Sequence, residues 1–149
     1  MRYLGLDLGT KTLGISMSDI THTIATSYKT VRFEEGDYFS LIGPIKEIIN
    51  EYQIVKIVLG FPKNMNNSIG DSAQTTLEFK EMLEKSLSIE VVMQDERLST
   101  MEATNYMLEA DMSRKKRKEK VDSLAANIIL QTYLDKERKE DNYGRKNDI

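Results

Sequence analysis

The chain contains no cysteine, which excludes thiol nucleophiles, disulfides, thiolate zinc and cysteine-ligated iron–sulfur centres. It has a single histidine, His22, which reads as a turn or partner residue rather than a metal ligand. It also lacks excess positive charge. The 21 basic and 24 acidic side chains leave a net charge of −3, so any nucleic-acid contact has to come from a local patch and not from a generally cationic surface. No apolar run approaches the ~18 residues that suggest a membrane span. The opening Met1-Arg2-Tyr3-Leu4-Gly5-Leu6-Asp7 reaches an acid within a few residues, unlike a secretory signal. These absences predict a cytoplasmic protein without membrane attachment that relies on oxygen and nitrogen chemistry. The 149 residues, 40% of them hydrophobic, are enough for one domain with one sizeable core.

The pattern of apolar residues predicts an α/β order. Residues 3 to 8 form a short apolar strand ending in Asp7-Leu8-Gly9-Thr10, and Leu13 to Asp19 resume as a second strand after a glycine-containing turn. Ile24 to Val31, rich in threonine and β-branched residues, completes a three-stranded antiparallel meander. Leu41, Ile42, Ile45, Ile48, Ile49 and Tyr52 then recur at three- and four-residue steps, predicting a helix within 37–52, with Gly43-Pro44 blurring its start. The nearly continuous apolar run Ile54 to Gly60 is that of a strand buried on both faces. A loop from Phe61 to Gly70 follows, then a helix carrying Ala73, Leu77, Phe79, Met82, Leu83 and Leu87, and a short strand at Ile89 to Met93. Ser99-Thr100-Met101-Glu102 has capping-box spacing and predicts a helix over 100–112. A final helix is expected over 118–136. Beyond Leu134 the apolar stripe is lost, and five acids and five bases over 135–149 predict a fraying tail.

Three carboxylates stand out. Asp7 lies near the end of an apolar strand, where an acid is costly unless hydrogen-bonded, paired or ligating a metal, although it could simply cap the Gly9 turn. Glu96 follows a strand and precedes a capped helix, with Asp95 as a local competitor and Arg97 as a possible pairing partner. Asp122 lies beside the stripe of Val121, Ala125, Ile128 and Ile129, where the helix N-terminal dipole also favours an acid. Such oxygen donors suit Mg²⁺ or Mn²⁺. The segment Arg-Lys-Lys-Arg-Lys-Glu-Lys at 114–120 carries +5, leaving −8 for the rest. It immediately precedes Asp122, so one helix could hold a phosphate backbone and supply a metal ligand. The alternative is a merely solvated charged face. Lys63 and the Gly9-Thr10-Lys11-Thr12 loop could line the same rim.

The combination resembles the YqgF family of pre-16S ribosomal RNA nucleases, also called Holliday junction resolvase-like proteins, within the ribonuclease H-like superfamily. The resemblance is carried by Leu4-Gly5-Leu6-Asp7-Leu8-Gly9-Thr10-Lys11 with Gly14 and Ser18-Asp19, and by Gly60-Phe61-Pro62-Lys63-Asn64-Met65-Asn66. Asp95-Glu96-Arg97-Leu98-Ser99-Thr100 and Val121-Asp122-Ser123-Leu124-Ala125-Ala126 complete it, together with Ile129-Leu130-Gln131. Phe61 and Asn67 stand where the family usually has leucine and glycine, and the second change leaves less backbone freedom in the loop.

The resemblance implies a ribonuclease H-like α/β domain over 1–136 with a charged tail over 137–149. Its mixed sheet has five strands in the order 3-2-1-4-5, with helices on both faces. It implies Asp7, Glu96 and Asp122 as catalytic acids and ligands of two Mg²⁺ or Mn²⁺ ions, with Asp7 bridging them. Lys11, Arg97, Arg114, Lys115, Lys116, Arg117 and Lys118 are the candidate phosphate contacts. The implied reaction is phosphodiester hydrolysis to a 5′ phosphate and a 3′ hydroxyl, in 5′-end maturation of precursor 16S ribosomal RNA, and the implied partners are structured RNA and a ribosomal particle. The alternatives are a resolvase acting on branched DNA, an actin-like ATPase or sugar-kinase phosphate loop for which 149 residues are too few, and a non-catalytic RNA-binding assembly factor.

Overall fold

A computed structural model of the chain describes residues 1–61, 71–95 and 124–139. The strands are β1 (Arg2–Leu8), β2 (Thr12–Ser18), β3 (Ala25–Arg32), β4 (Ile54–Phe61) and β5 (Glu90–Asp95). Their order across the sheet is β3-β2-β1-β4-β5. The first three pair antiparallel, and β4 and β5 add in parallel beside β1. This is the expected sheet, with β1 at its centre.

Local chemistry explains the boundaries. The stretch predicted as one helix over 37–52 opens as a 3₁₀ turn, Tyr38–Leu41, and becomes α1 at Ile42–Tyr52. Pro44 falls within the first α-helical turn, where its missing N–H leaves no ladder bond unmade. Gln53 ends α1 in the left-handed conformation, φ 54°, and its N–H donates to the Ile49 carbonyl. Phe61, expected in a loop, is instead the last residue of β4, because its backbone pairs with Asp95. β5 likewise outlasts the expected Met93: its ladder uses main-chain groups, so polar Gln94 and Asp95 can continue it. The predicted 62–70 loop and 100–112 helix lie outside the described residues, as does the 118–123 part of the final helix.

Two layers of helices sandwich the sheet. On one face Leu4, Leu6, Leu13 and Ile15 pack with Ile45 and Ile48 of α1 and with Phe79 and Leu83 of α2 (Asp71–Leu87). On the other face Tyr3, Ala25 and Val58 meet Ile129, Leu130 and Leu134 of a third described helix, α3, spanning 124–139. The alternation Tyr3/Leu4/Gly5/Leu6 thus divides one strand between two cores.

The seat of α3 is a glycine. A Cβ on Gly5 would stand 2.3 Å from Ser16 Oγ, 2.8 Å from Leu130 Cβ and 3.0 Å from the Ala126 carbonyl oxygen. Ser16, opposite Gly5 in the β1–β2 pair, donates from Oγ to that same Ala126 oxygen at 2.8 Å. Gln131 fastens the helix to the β2–β3 hairpin, accepting from the Ala25 N–H at 2.8 Å and donating to the Thr23 carbonyl at 2.9 Å.

The final helix runs three residues past the expected 136 into the charged tail. It stays helical to 139, because Tyr3 Oη donates to Glu137 at 3.1 Å and Lys56 Nζ donates to Tyr133 Oη at 3.0 Å. The Lys56 ammonium lies 4.9 Å from the Tyr3 ring centroid and 3.6 Å from Glu137. His22 stacks on the outer side of Tyr3 at 4.0 Å. Gly5 therefore meets Ala126 and Leu130 while Tyr3, two residues earlier, meets Tyr133 and Glu137. α3 runs antiparallel to β1.

Gly5→Ala is expected to lower stability by about 2–3 kcal/mol, because the added methyl group meets backbone as well as side chain, and Ser16→Ala by about 1 kcal/mol. Urea unfolding midpoints check both values. The Tyr3 cluster adds an alkaline dependence. Burial, then Glu137, raises the Tyr3 phenol above its ordinary value of 10.0. Burial also raises Tyr133, against the opposing pull of Lys56. Burial alone would lower Lys56, but the Tyr133 hydroxyl and its neighbours Tyr3 and Glu137 raise it well above the lysine range. All three groups hold their protons more tightly when folded, so their contribution is complete below about pH 10 and is lost as pH climbs beyond it. Urea midpoints measured from about pH 8 to 11 should fall less steeply in Tyr3→Phe than in the parent chain.

Candidate active site

Asp7 is the penultimate residue of the central strand and pairs with Gly14 of β2. It is half-buried. Two residues past Gly5, it shares the α3 face of the sheet. Leu6 is level with Leu59 of β4, and Gly60 and Phe61 are level with Gln94 and Asp95 of β5. The three parallel strands thus end together along one sheet edge, the usual place for a site in an open α/β sheet.

The connection from β1 to β2 is tight. The Gly9 N–H donates to the Thr12 carbonyl at 2.8 Å. A Cβ on Gly9 would lie 3.1 Å from both the carbonyl and the hydroxyl oxygen of Thr12. Lys11 sits in this turn with its side chain exposed. Its carbonyl accepts from the Phe33 N–H at 3.0 Å, which ties the turn to the end of β3 and leaves the ammonium out of the packing.

Of the three acids singled out from the sequence, Asp7 lies among the described residues. Glu96 and Asp122 lie outside them, as do Arg97, Arg114, Lys115, Lys116, Arg117, Lys118 and Lys63. The described chain stops at Asp95, one residue before Glu96, and resumes at Leu124, two residues after Asp122. Among the described residues no group of three or more histidine, cysteine, aspartate or glutamate side chains could hold a metal ion. Asp7 itself supplies hard carboxylate oxygen at a strand end, the donor chemistry that suits Mg²⁺ or Mn²⁺. Ser16 is a positioning residue that the sequence reading passed over. Its signal was a hydroxyl inside the apolar run Leu13 to Met17, facing a glycine on the neighbouring strand.

A central strand ending in an acid, flanked by two antiparallel and two parallel strands with helices on both faces, defines a ribonuclease H-like domain. Solved structures of this fold match along nearly the whole chain. Thermus thermophilus RuvC in complex with Holliday junction substrate aligns at TM-score 0.59 and 13% identity, over 93% of this chain and 96% of that one. Fowlpox virus resolvase, in a complex with Holliday junction DNA, aligns at TM-score 0.55 and 11% identity, over 91% and 98%. Identities this low speak to the fold alone.

Sequence narrows the class. The chain belongs to the RuvX family, described as Holliday junction resolvase, whose model matches residues 1–136. A protein of Geobacillus sp. (strain WCH70) named "Putative pre-16S rRNA nuclease" is 48% identical over 137 residues, 91% of this chain and 98% of the relative. A protein of Caldanaerobacter subterraneus subsp. tengcongensis with the same name is 46% identical over 139 residues, 93% and 99% of the two chains.

Because the Lys11 side chain is exposed and only its backbone serves the fold, Lys11→Ala should leave the unfolding free energy within about 0.5 kcal/mol of the parent chain. A urea titration checks this and qualifies the variant for nucleic-acid binding measurements.

Proposed function

We propose that the chain is a metal-dependent nuclease that hydrolyses phosphodiester bonds at the 5′ end of precursor 16S ribosomal RNA in the cytoplasm, with Asp7, Glu96 and Asp122 as its catalytic acids and metal ligands. The observation that carries this reading is the antiparallel course of α3 over β1. Two strand residues cover ~6–7 Å and four helical residues ~6 Å. Moving from Gly5 to Asp7 along β1 therefore heads toward the start of the described α3 at Leu124, and the proposal assigns Asp122 to that end. Strand parity supports the third acid. Val91 belongs to the α1/α2 core and Val92 to the α3 core, so even-numbered positions of β5 share the face of Asp7, and the proposal assigns Glu96 to it.

Three carboxylates gathered there form a hard-oxygen set for Mg²⁺ or Mn²⁺, two ions in this reading; when bound, the metal supplies Lewis acidity for water activation and for the departing 3′ oxygen. The chain's own groups do the rest. Asp7, held on a strand paired on both sides, provides a fixed negative centre. Lys11 stands in the turn four residues on, and with Arg97 and the cations Arg114, Lys115, Lys116, Arg117 and Lys118 it neutralises the RNA backbone. In a chain of net charge −3, this local patch carries the salt-dependent part of binding. The names of the relatives support ribosomal RNA as substrate. The family's description and the resolvase folds favour a second reading, cleavage of branched DNA.

Asp7→Asn should reduce cleavage of a precursor-16S RNA fragment to background in Mg²⁺ or Mn²⁺ while RNA affinity, measured by fluorescence anisotropy, stays within a few-fold of the parent chain. Cleavage of four-way DNA junctions with the RNA left intact would replace the first reading by the second. An Asp7→Asn chain that still supports ribosome maturation in cells would remove catalysis from the account.

A further inference from the structure

A cleft of about 290 Å³ opens at the same end of β1 as Asp7 but on the opposite, α1/α2, face of the sheet. Its floor is Leu8 and Gly9, the residues that follow Asp7 along the chain. Its walls are unusually rich in hydroxyl groups: Thr10 from the turn after β1, Tyr38 from the 3₁₀ turn, and Thr75 and Thr76 from α2. One charged side chain joins them, the carboxylate of Glu35. Among the described lining residues there is no lysine or arginine.

These walls are built rather than incidental. The Tyr38 ring is wedged between Phe33 and Phe79, with centroids at 5.5 and 6.2 Å, so its position is set by the core. Thr76 is buried on α2 at 2% exposure. Glu35 rides at the second position of a four-residue turn closed by the Asp37 N–H on the Glu34 carbonyl at 2.9 Å. Gly36 holds the third position at φ 87°, the left-handed geometry a type II turn requires there.

The chemistry of the walls selects among ligands. Glu35 is the one charged side chain among the described lining residues, and it repels a phosphate. A purely apolar group would leave the Thr10, Tyr38 and Thr75 hydroxyls against hydrocarbon. A sugar with free hydroxyls suits both, since hydroxyl groups donate to a carboxylate and exchange hydrogen bonds with threonine and tyrosine. The volume is at the small end of ligand-sized clefts and holds one nucleoside unit, not a helix.

The geometry points to a ribose subsite in which Glu35 accepts a hydrogen bond from the 2′-hydroxyl of a nucleotide adjacent to the one whose phosphate lies at Asp7. The inference rests on the nuclease reading of Asp7 and adds to it a means of preferring RNA. The 2′-hydroxyl is the group by which a protein tells RNA from DNA. Asp7 and the cleft's Leu8 are consecutive in β1, so both lie at the same strand end, on its two faces. The fold is shared with enzymes crystallised on DNA junctions, so a preference for RNA has to come from side chains such as these rather than from the architecture.

Binding tests the subsite separately from cleavage. The full chain carrying Asp7→Asn is titrated with a fluorescently labelled precursor-16S RNA fragment and with versions bearing one 2′-deoxynucleotide at each successive position. One or two positions should weaken binding about tenfold, the usual worth of a hydrogen bond to a charged acceptor at its lower end. Adding Glu35→Ala should abolish the difference at those positions and leave the other positions unaltered. Thr75→Val serves as a second variant, with a partial loss at the same positions. A flat 2′-deoxy scan, or a scan whose sensitive positions persist unchanged in Glu35→Ala, overturns the subsite. The parent chain is assayed in parallel for cleavage: loss of the nuclease reading appears there, as intact RNA and intact junction DNA, whereas loss of the ribose subsite appears only in the scan.

Discussion

The structure depends on the close approach of α3 to the centre of the sheet, and that approach exists because Gly5 has no side chain. The helix backbone at Ala126 comes near enough to β1 that a single methyl group on Gly5 would collide with it. Ser16 converts the proximity into register by donating to the Ala126 carbonyl. A helix resting on ordinary side chains stands roughly 10 Å from its sheet, in line with the usual spacing of packed layers. Here the glycine lets the helix backbone come closer to the sheet at Ala126.

The opposite end of α3 is held by different forces. Tyr3, Lys56, Tyr133 and Glu137 form a partly desolvated cluster in which two aromatic faces, a phenol hydroxyl and a carboxylate surround one ammonium group. Cation–π contact and charge-assisted hydrogen bonding reinforce one another when water is partly excluded. With Gly5 and Ser16 near one end, Gln131 at the middle and this cluster at the other, α3 has little freedom to slide. A site that needs an acid from the strand and an acid from the helix side requires that rigidity, because metal coordination tolerates only small errors of placement.

Charge is arranged to match. The chain is acidic overall, so in the proposed reading its attraction to nucleic acid falls to the local basic run at 114–120. The cleft around Glu35 contributes the complementary element, neutral hydroxyls and a carboxylate that favour a sugar over a phosphate.

Much of this was legible in the residues themselves. Alternation in Tyr3 to Leu6, the continuous apolar run of β4 and the three- and four-residue steps of α1 are local patterns set by backbone geometry, and they marked the elements, while the strand order and the two helical faces came from the family resemblance. Asp7 stood out because an acid ending an apolar strand demands a reason. The ends of elements were less legible: β5 ran on through Gln94 and Asp95, and α3 continued past 136 to 139, because main-chain ladders and contacts made elsewhere in the fold sustained segments whose own side chains were polar. The meeting of Ser16 with Ala126, separated by 110 positions, and the gathering of Glu35, Tyr38 and Thr76 around the end of β1 were decided only by the tertiary structure. Periodicity reports which face of an element is buried, but the distance between two faces depends on the side chains of both, and only the folded chain brings both together.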